Sequence, residues 1–421
     1  MTAPTAPVEP ATDGPLGTSL LLDLGVPFRI QGDTVYVEEQ AHNGLQRWLE
    51  NFERITVCAP ILPETQPDSS MRWTSVQGLL AQGALRVAPF PWSYDLRSHI
   101  RNVGAVRQSL RSLISQHRYL CFSNLGWLGS WGSIAAEEAY RLGRPYAVWL
   151  DWVLHEMPIA PEANLLKGAW RRVQRAMQKR ISLRDIRRAS LGLFHGRTVF
   201  DAYEKSCRIS RVVHDVHLGV SDIIPVEQLH ERLERKTTPV KIVYLGRVHP
   251  MKGPRQWLET MQSVLAQTRG KRDVHAQWVG DGPMLEELRA AVAERGLADY
   301  VSFAGAEMDR SKVLGILRDA DLFVFCHLTP ESPRCLIEAL MSGLPILGFE
   351  SSYAADLLNG HAAGGELVPL EDTAGLSKAI LACIEDPARA RNMAEAARAI
   401  GTNFSDVTVF RHRSDLIKEF L

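Results

Sequence analysis

Short apolar runs alternate with longer segments in which apolar residues recur every three or four positions, and this rhythm fills most of the chain after residue 18. Short runs bounded by turn formers read as strands, and the spaced segments read as helices with one buried face. The first half is expected to carry strands at 34–37, 55–60, 119–123, 145–150, 191–195 and 212–218. Helices are expected through Leu45, Trp48 and Phe52, and over 103–116, 134–142 and 199–205. In the second half the pattern predicts strands at 240–246, 274–280, 301–304, 322–326 and 345–349, separated by helices at 255–267, 284–295, 311–318 and 333–341. Strands that alternate with helices predict parallel sheets covered on both faces, so the fold class is α/β with two Rossmann-like, doubly wound domains. A chain of 421 residues also exceeds one ordinary core.

Composition sets the divisions. Residues 1–18, rich in Pro, Ala, Thr and Gly, are expected to be a disordered tail, and 19–226 a first domain. Residues 227–238, charged and running into Thr-Thr-Pro, are the expected linker to a second domain at 239–402. Residues 403–421 form a helical stretch expected to cross back to the first domain. Two such domains facing across a cleft would take a ligand at the carboxyl ends of their strands.

The stretch 329–343, TPESPRCLIEALMSG, follows a strand and opens a helix. Ser332 is expected to cap it and Pro333 to occupy the first helical position, where a missing N–H costs nothing. Leu336, Ile337, Leu340 and Met341 give one apolar face, and Gly343 ends the helix. A strand feeding a helix N-terminus presents free N–H groups and a positive dipole end, a ready phosphate site. Glu331, in the preceding loop, is in reach of a hydroxyl-rich ligand, and Glu338 is placed to clamp a diol such as a ribose. A second strand-to-helix turn, residues 246–253 (GRVHPMKG), carries Arg247 and Lys252 five residues apart. That pair suits a diphosphate, because Arg binds two oxygens at once and Lys acts as a point charge. Lysine is scarce, with none before Lys167, so its use in this turn stands out. Residues 280–283 (GDGP) form a third turn of the kind, and all three fall at carboxyl ends of strands predicted for one sheet.

Formal net charge is zero, so nothing global favours nucleic acid, and no apolar run reaches the length of a membrane span. The amino terminus lacks the basic-then-apolar layout of a signal peptide. The six cysteines are scattered without CxxC pairs, which reads as reduced core thiols in a cytoplasmic protein. Residues 163–190 depart from the average, with nine basic side chains against one acid, Asp185. With Leu166, Ala169 or Trp170, Val173 and Met177 at helical spacing, this is either a basic amphipathic helix for an anionic membrane face or a helix whose Arg stems cover its own domain.

Read in order, LGRVHPMKG, VGDGP, VSFAG and ESPRCLIEALMSGLPILG resemble the nucleotide-sugar-binding half of a GT-B glycosyltransferase, family 4, over roughly 240–369. In the first half the resemblance rests on strand order and on VHLGVSD. This is similar to the family's Asn-Gly-Val-Asp turn, with Leu218 in the Asn place and Ser221 in the Asp place. The resemblance implies a nucleoside diphosphate sugar donor, UDP- or GDP-linked, and a hydroxyl acceptor, lipid-linked or polysaccharide. It also implies retention of configuration and no metal cofactor. By this likeness Gly246, Arg247, Lys252 and Gly280 bound the donor diphosphate, Glu338 holds the ribose, and Glu331 contacts the sugar. The N–H groups of Arg334, Cys335 and Leu336 would meet the distal phosphate, and Phe303, Ala304 and Gly305 resemble the edge that reads the base. Arg247, Lys252 and Glu331 are the catalytic expectations, joined by Asp151, which follows the strand 145–150 where the family shows a histidine. His155, four residues on, is placed on the acceptor side with Asn124 and Gly126 of the Gly-rich stretch 123–133. Six residues rather than the family's seven separate Glu331 from Glu338, and Pro330 to Arg334 replace a small-aromatic-glycine stretch. Two other readings of the same residues are a sugar-nucleotide-binding subunit without catalysis and a nucleotide-sugar epimerase.

Overall fold

Continuous apolar runs become strands where both faces are covered, and the first of them sets the pattern: Leu20, Leu21 and Leu22 are all fully buried. The computed structural model describes residues 17–63, 72–153, 165–235, 239–329, 331–358 and 362–421, the side chains of 165–169 excepted. These fall into two units. Unit 1 takes the described residues up to Phe194 with Ala202–Arg211 and Phe410–Leu421, and unit 2 takes His195–Asp201 with Val212–Val409.

Unit 1 runs β1 (Ser19–Asp23), β2 (Arg29–Gln31), β3 (Thr34–Glu38), α1 (Glu39–Leu49), β4 (Arg54–Pro60), β5 (Trp73–Ser75), α2 (Gln77–Leu80) and β6 (Leu85–Phe90). It continues through α3 (Leu96–Gln116), β7 (Tyr119–Phe122), α4 (Trp131–Arg141), β8 (Ala147–Leu150), α5 (Leu165–Arg188) and β9 (Leu191–His195), with α6 (Gly196–Tyr203) and β10 (Ser210–Val213) at the passage between units. The main sheet has the order β10-β9-β8-β7-β1-β4-β6, and β1 pairs in parallel with both β4 and β7. A small antiparallel sheet, β2-β3-β5, stands apart. Trp48 organises an aromatic core, with Trp149 at 6.2 Å and Phe410 at 5.4 Å between ring centroids. The buried Arg413 guanidinium lies 4.5 Å from the Trp149 ring and 4.0 Å from Phe410, a cation–π contact that ties the end of the chain into this unit.

Unit 2 opens with α7 (Val226–Glu234) and then alternates: β11 (Val240–Leu245), α8 (Pro254–Thr268), β12 (Val274–Val279), α9 (Leu285–Glu294), β13 (Val301–Gly305), α10 (Arg310–Asp319), β14 (Leu322–Phe325), α11 (Arg334–Met341) and β15 (Ile346–Phe349). It closes with α12 (Ser352–Leu357), β16 (Gly365–Val368), α13 (Thr373–Glu385), α14 (Pro387–Gly401) and α15 (Asp406–Phe420), of which Phe410 onward groups with unit 1. Its sheet order is β13-β12-β11-β14-β15-β16, all parallel. Tyr244, Trp257, Trp278 and Phe303 fill the core beneath it. Both indole N–H groups are matched, Trp257 to the Val324 carbonyl at 3.0 Å and Trp278 to the Gly246 carbonyl at 2.8 Å.

Several elements differ from the sequence pattern. β1, β2, β5, β6 and β16 are not among the expected strands, because short runs such as Ser-Leu-Leu-Leu-Asp carry no periodicity that separates strand from helix. The strand expected at 212–218 ends at Val213. The expected linker 227–238 is instead α7 as far as Glu234, with 236–238 outside the described residues. Its charges mislead because one of them is structural: Leu229 packs with Ile224 and Ala394, and buried Arg232 donates to the Ser342 carbonyl at 3.0 Å and the Gly343 carbonyl at 2.5 Å. Those carbonyls follow α11, so the guanidinium supplies donors that the helix end lacks, and burial pulls its pKa down to about 10. Of the expected tail 1–18, residues 1–16 lie outside the described ones. Arg232→Ala is expected to leave two buried carbonyls unmatched and to cost about 2–4 kcal/mol, read from urea unfolding followed by tryptophan fluorescence.

Candidate functional site

Two strand-to-helix turns of unit 2 cross at backbone contact. Val248 N–H donates to the Asp281 carbonyl at 2.9 Å, and Met284 N–H donates to the Val248 carbonyl at 3.1 Å. Only glycine permits this approach, since a Cβ at Gly280 would stand 1.9 Å from the Gly246 carbonyl oxygen. Gly253, at φ 62°, ends the short turn Pro250–Lys252 in the left-handed region, and a Cβ there would meet the Cys326 carbonyl at 2.0 Å. The turn therefore packs on the end of β14 and drives Lys252 inward, where it is 8% exposed.

A buried ammonium requires a partner. Lys252 Nζ lies 2.6 Å from Glu331 Oε2. The other oxygen, Glu331 Oε1, is buried without a hydrogen-bond partner, and His327 Nδ1 stands 3.8 Å away. His327 Nε2 is in turn 2.7 Å from the Tyr244 hydroxyl. Burial, reinforced by the Lys252 charge, pushes the His327 pKa well below its ordinary value, so this ring is neutral.

These turns and the start of α11 bound a cavity of about 800 Å³ lined by Gly246, Arg247, Lys252, Gly280, Asp281, Gly282, Ala306, Glu307, Pro333, Arg334, Cys335 and Glu338. It lies at the carboxyl ends of β11 and β12 and at the turn after β14, around the point where the strand order reverses. No side chain caps α11, so the positive end of this helix is offered to whatever fills the cavity. Glu338 Oε1 is 3.2 Å from Arg310 Nη1, and the Arg334 guanidinium reaches 2.5 Å from Asp215 Oδ2.

Of the residues expected on the donor side, Gly246, Arg247, Lys252, Gly280, Arg334, Cys335 and Glu338 line this cavity, and Glu331 joins it through Lys252. Leu336 does not; it is fully buried in the core, and its N–H bonds to the Pro333 carbonyl at 3.2 Å. Phe303 packs against Trp257 and Trp278, its carbonyl accepts from Arg289 Nε at 3.0 Å, and the Gly305 carbonyl accepts from Gly280 N–H at 2.8 Å. The edge of the cavity beyond β13 is Ala306 and Glu307, just past the VSFAG run that drew attention to β13. Ser332 is not a cap: its hydroxyl donates to the His195 carbonyl at 3.0 Å, and α11 starts at Arg334 with Pro333 as the flanking residue. Pro333 keeps an extended backbone, φ −74° and ψ 117°, so the helix starts one residue later than expected.

The acceptor-side expectations fall in unit 1. Asp151 directly follows β8 and is exposed, Asn124 and Gly126 follow β7, and His155 lies outside the described residues. Gln178 of α5 clamps the loop, accepting from Trp127 N–H at 2.9 Å and donating to the Leu125 carbonyl at 3.0 Å. Asn124 N–H bonds to Asp23 Oδ2 at 2.9 Å. The only sequence sign of Asp23 was a polar residue closing an all-leucine run. Asp319-Ala320-Asp321 does form an Asp-x-Asp sequence, but it lies at the amino end of β14, where Lys241 pairs with Asp319 and its N–H with Asp321. Among the described residues no group of His, Cys, Asp or Glu side chains is arranged to hold a metal, and no helix is long and apolar enough to cross a membrane.

Residues 225–400 match the family described as "Glycosyl transferases group 1". The 2-deoxystreptamine glucosyltransferase of Streptomyces kanamyceticus is 28% identical over 39% of this chain and 41% of its own length. The 2-deoxystreptamine N-acetyl-D-glucosaminyltransferase of Streptomyces fradiae is 29% identical over 53% of each. The chain thus spans about half or less of the length of these curated relatives. Anabaena Alr3699/HepE, solved in complex with UDP, superposes with a TM-score of 0.64 at 18% identity over 96% of this chain and 100% of that one. The chain has the GT-B glycosyltransferase fold, two Rossmann-like units of α/β class.

Burial pushes the Asp23 carboxyl up to about 7, against 3.8 when unperturbed. The folded chain keeps this proton over a window where the unfolded chain loses it, so the group lowers stability as pH rises through that window. Asp23→Asn is expected to gain on the native chain by about 1.4 kcal/mol per pH unit across it, measured as the difference in urea stability between about pH 4 and 7.

Proposed function

We propose that this chain is a glycosyltransferase that moves a sugar from a nucleoside diphosphate sugar to a hydroxyl acceptor, in the manner of the retaining family 4 enzymes and without a metal. The observation that carries this reading is the convergence of Arg247, Lys252 and the uncapped start of α11 on one cavity. Charge develops on the leaving diphosphate in such a transfer, and fixed cations in a partly buried site stabilise it. A bound diphosphate takes a share of the Lys252 charge now matched by Glu331, which frees Glu331 toward the donor sugar, while Glu338 takes the ribose. Asp151 is the group proposed beside the reacting sugar, as a base or a hydrogen-bond acceptor for the incoming hydroxyl.

UDP is the first nucleotide to try, since HepE was solved with it, and GDP is the alternative. The two Streptomyces relatives are transferases named for 2-deoxystreptamine, a small hydroxyl-bearing ring, which supports a hydroxyl acceptor here; a polysaccharide acceptor rests on the family resemblance alone. A lipid-linked acceptor and a cytoplasmic place on the inner membrane face rest on the basic charge of α5, whose apolar residues are spread around the helix rather than gathered on one face. Trp170 and Val173 are about half exposed on that helix, beside exposed Arg171, Arg172, Lys179 and Arg180.

A panel of UDP- and GDP-sugars tests the donor: one held at about one hundred times its dissociation constant should add about 2.7 kcal/mol of stability. Lys252→Ala is expected to lower transfer by roughly 100- to 1000-fold with the fold intact. Near-normal turnover would take the lysine out of the mechanism. Donor binding without transfer to any acceptor would favour the non-catalytic subunit, and sugar conversion without acceptor the epimerase. Replacing Arg171, Arg172, Arg175 and Arg180 by glutamine should release the chain from anionic vesicles; a native chain that never binds them ends the membrane reading.

A further inference from the structure

His327 connects two polar groups that stand behind the cavity of unit 2. It follows β14 by two residues, and the next residue, Leu328, donates its N–H to the Met251 carbonyl at 2.9 Å. The backbone at His327 is therefore tied to the turn that carries Lys252. The ring is 6% exposed, with its centroid 5.2 Å from that of Phe325 and 5.6 Å from that of Tyr244. Each ring nitrogen faces one polar group. Nε2 is 2.7 Å from the Tyr244 hydroxyl, and Nδ1 is 3.8 Å from Glu331 Oε1.

A neutral imidazole carries one N–H, and what its two nitrogens face decides where that hydrogen sits. A hydroxyl both donates and accepts, so Tyr244 can serve either tautomer, and its other hydrogen-bond partner, the Cys335 thiol, is equally indifferent to direction. A carboxylate only accepts. A bare Nδ1 beside Glu331 would set lone pair against lone pair, whereas a proton on Nδ1 offers a donor to an oxygen that is buried without one. Burial and the Lys252 charge both oppose a second proton, so the ring stays neutral. Glu331 then has a donor facing each oxygen, Lys252 Nζ on Oε2 and His327 Nδ1 toward Oε1. A shift of Glu331 by about 1 Å toward the ring makes the second an ordinary hydrogen bond.

Resting on the transferase reading above, we propose that His327 is a positioning residue for Glu331. When a donor diphosphate draws on the Lys252 charge, His327 Nδ1–H takes Glu331 Oε1 and leaves Oε2 directed at the donor sugar. The ring stands outside the cavity lining, so it acts through Glu331.

Two measurements on the full chain test this. In long-range proton–nitrogen NMR spectra, with the His327 signals identified by their loss in His327→Asn, the native ring should carry its single proton on Nδ1 near neutral pH. A proton on Nε2, or on both nitrogens, overturns the proposal. Titration calorimetry then compares UDP with UDP-glucose and GDP with GDP-mannose. For a pair that the native chain binds, His327→Phe should raise the dissociation constant of the sugar-bearing ligand roughly tenfold and leave that of the bare nucleotide within about threefold. Asn places an amide N–H where Nδ1 stands, so His327→Asn should recover most of the loss, which a merely structural role would not produce. Tryptophan fluorescence should report each variant folded, and the tautomer needs only the native chain. A sugar-bearing ligand bound equally by His327→Phe, or both ligands weakened alike, overturns the positioning role while nucleotide binding still supports the transferase reading. Binding of neither pair by the native chain overturns the transferase reading itself, and this role with it.

Discussion

The cavity in unit 2 depends on one interaction, the buried contact between Lys252 and Glu331. A lysine so far from solvent needs a polar partner, and Glu331 supplies one at 2.6 Å. Everything near it is arranged around that pairing. Gly253 lets the turn fold against the Cys326 carbonyl and carry Lys252 inward. His327, kept neutral by burial, stands behind Glu331 without adding a second cation. The free oxygen of Glu331 leaves the pair incompletely matched, a state suited to exchanging one anion for another.

The two units repeat one solution. In each, the first main-sheet strand lies inside the sheet beside the point where the strand order turns back, and polar side chains gather there. The chemistry differs. Unit 2 places Arg247 and Lys252 at its switch point and leaves α11 uncapped, a setting for negative charge. Unit 1 places Asp23 and Asn124 at its own, bonded to each other and with Tyr94 in the same cluster. Topology thus fixes where ligands are taken and side chains fix which kind, so a shared fold says little about substrate.

Helix ends show how position overrides residue type. Ser332 has the side chain of a good cap, yet its hydroxyl is drawn to the His195 carbonyl, and α11 is left without one. At the other end of the same helix, Arg232 from α7 supplies the donors that the last carbonyls need. A charged segment that looks like a solvated linker is therefore part of the core of unit 2.

The sequence by itself determined the alternating α/β order, the glycine turns at 246–253 and 280–283, and the chemical character of 329–343. Those features rest on periodicity and turn chemistry, which act over a dozen residues or so and can be read without knowing what packs on them. It also passed over β1, whose leucine run has no period to betray it, and Asp23 with it. Only the tertiary structure decided the partners: Lys252 with Glu331 across 79 residues, Asn124 with Asp23 across 101, and Arg232 with the Ser342 carbonyl across 110. Such choices are made when burial removes water as a competing partner and each polar atom must take whatever the packing brings within reach.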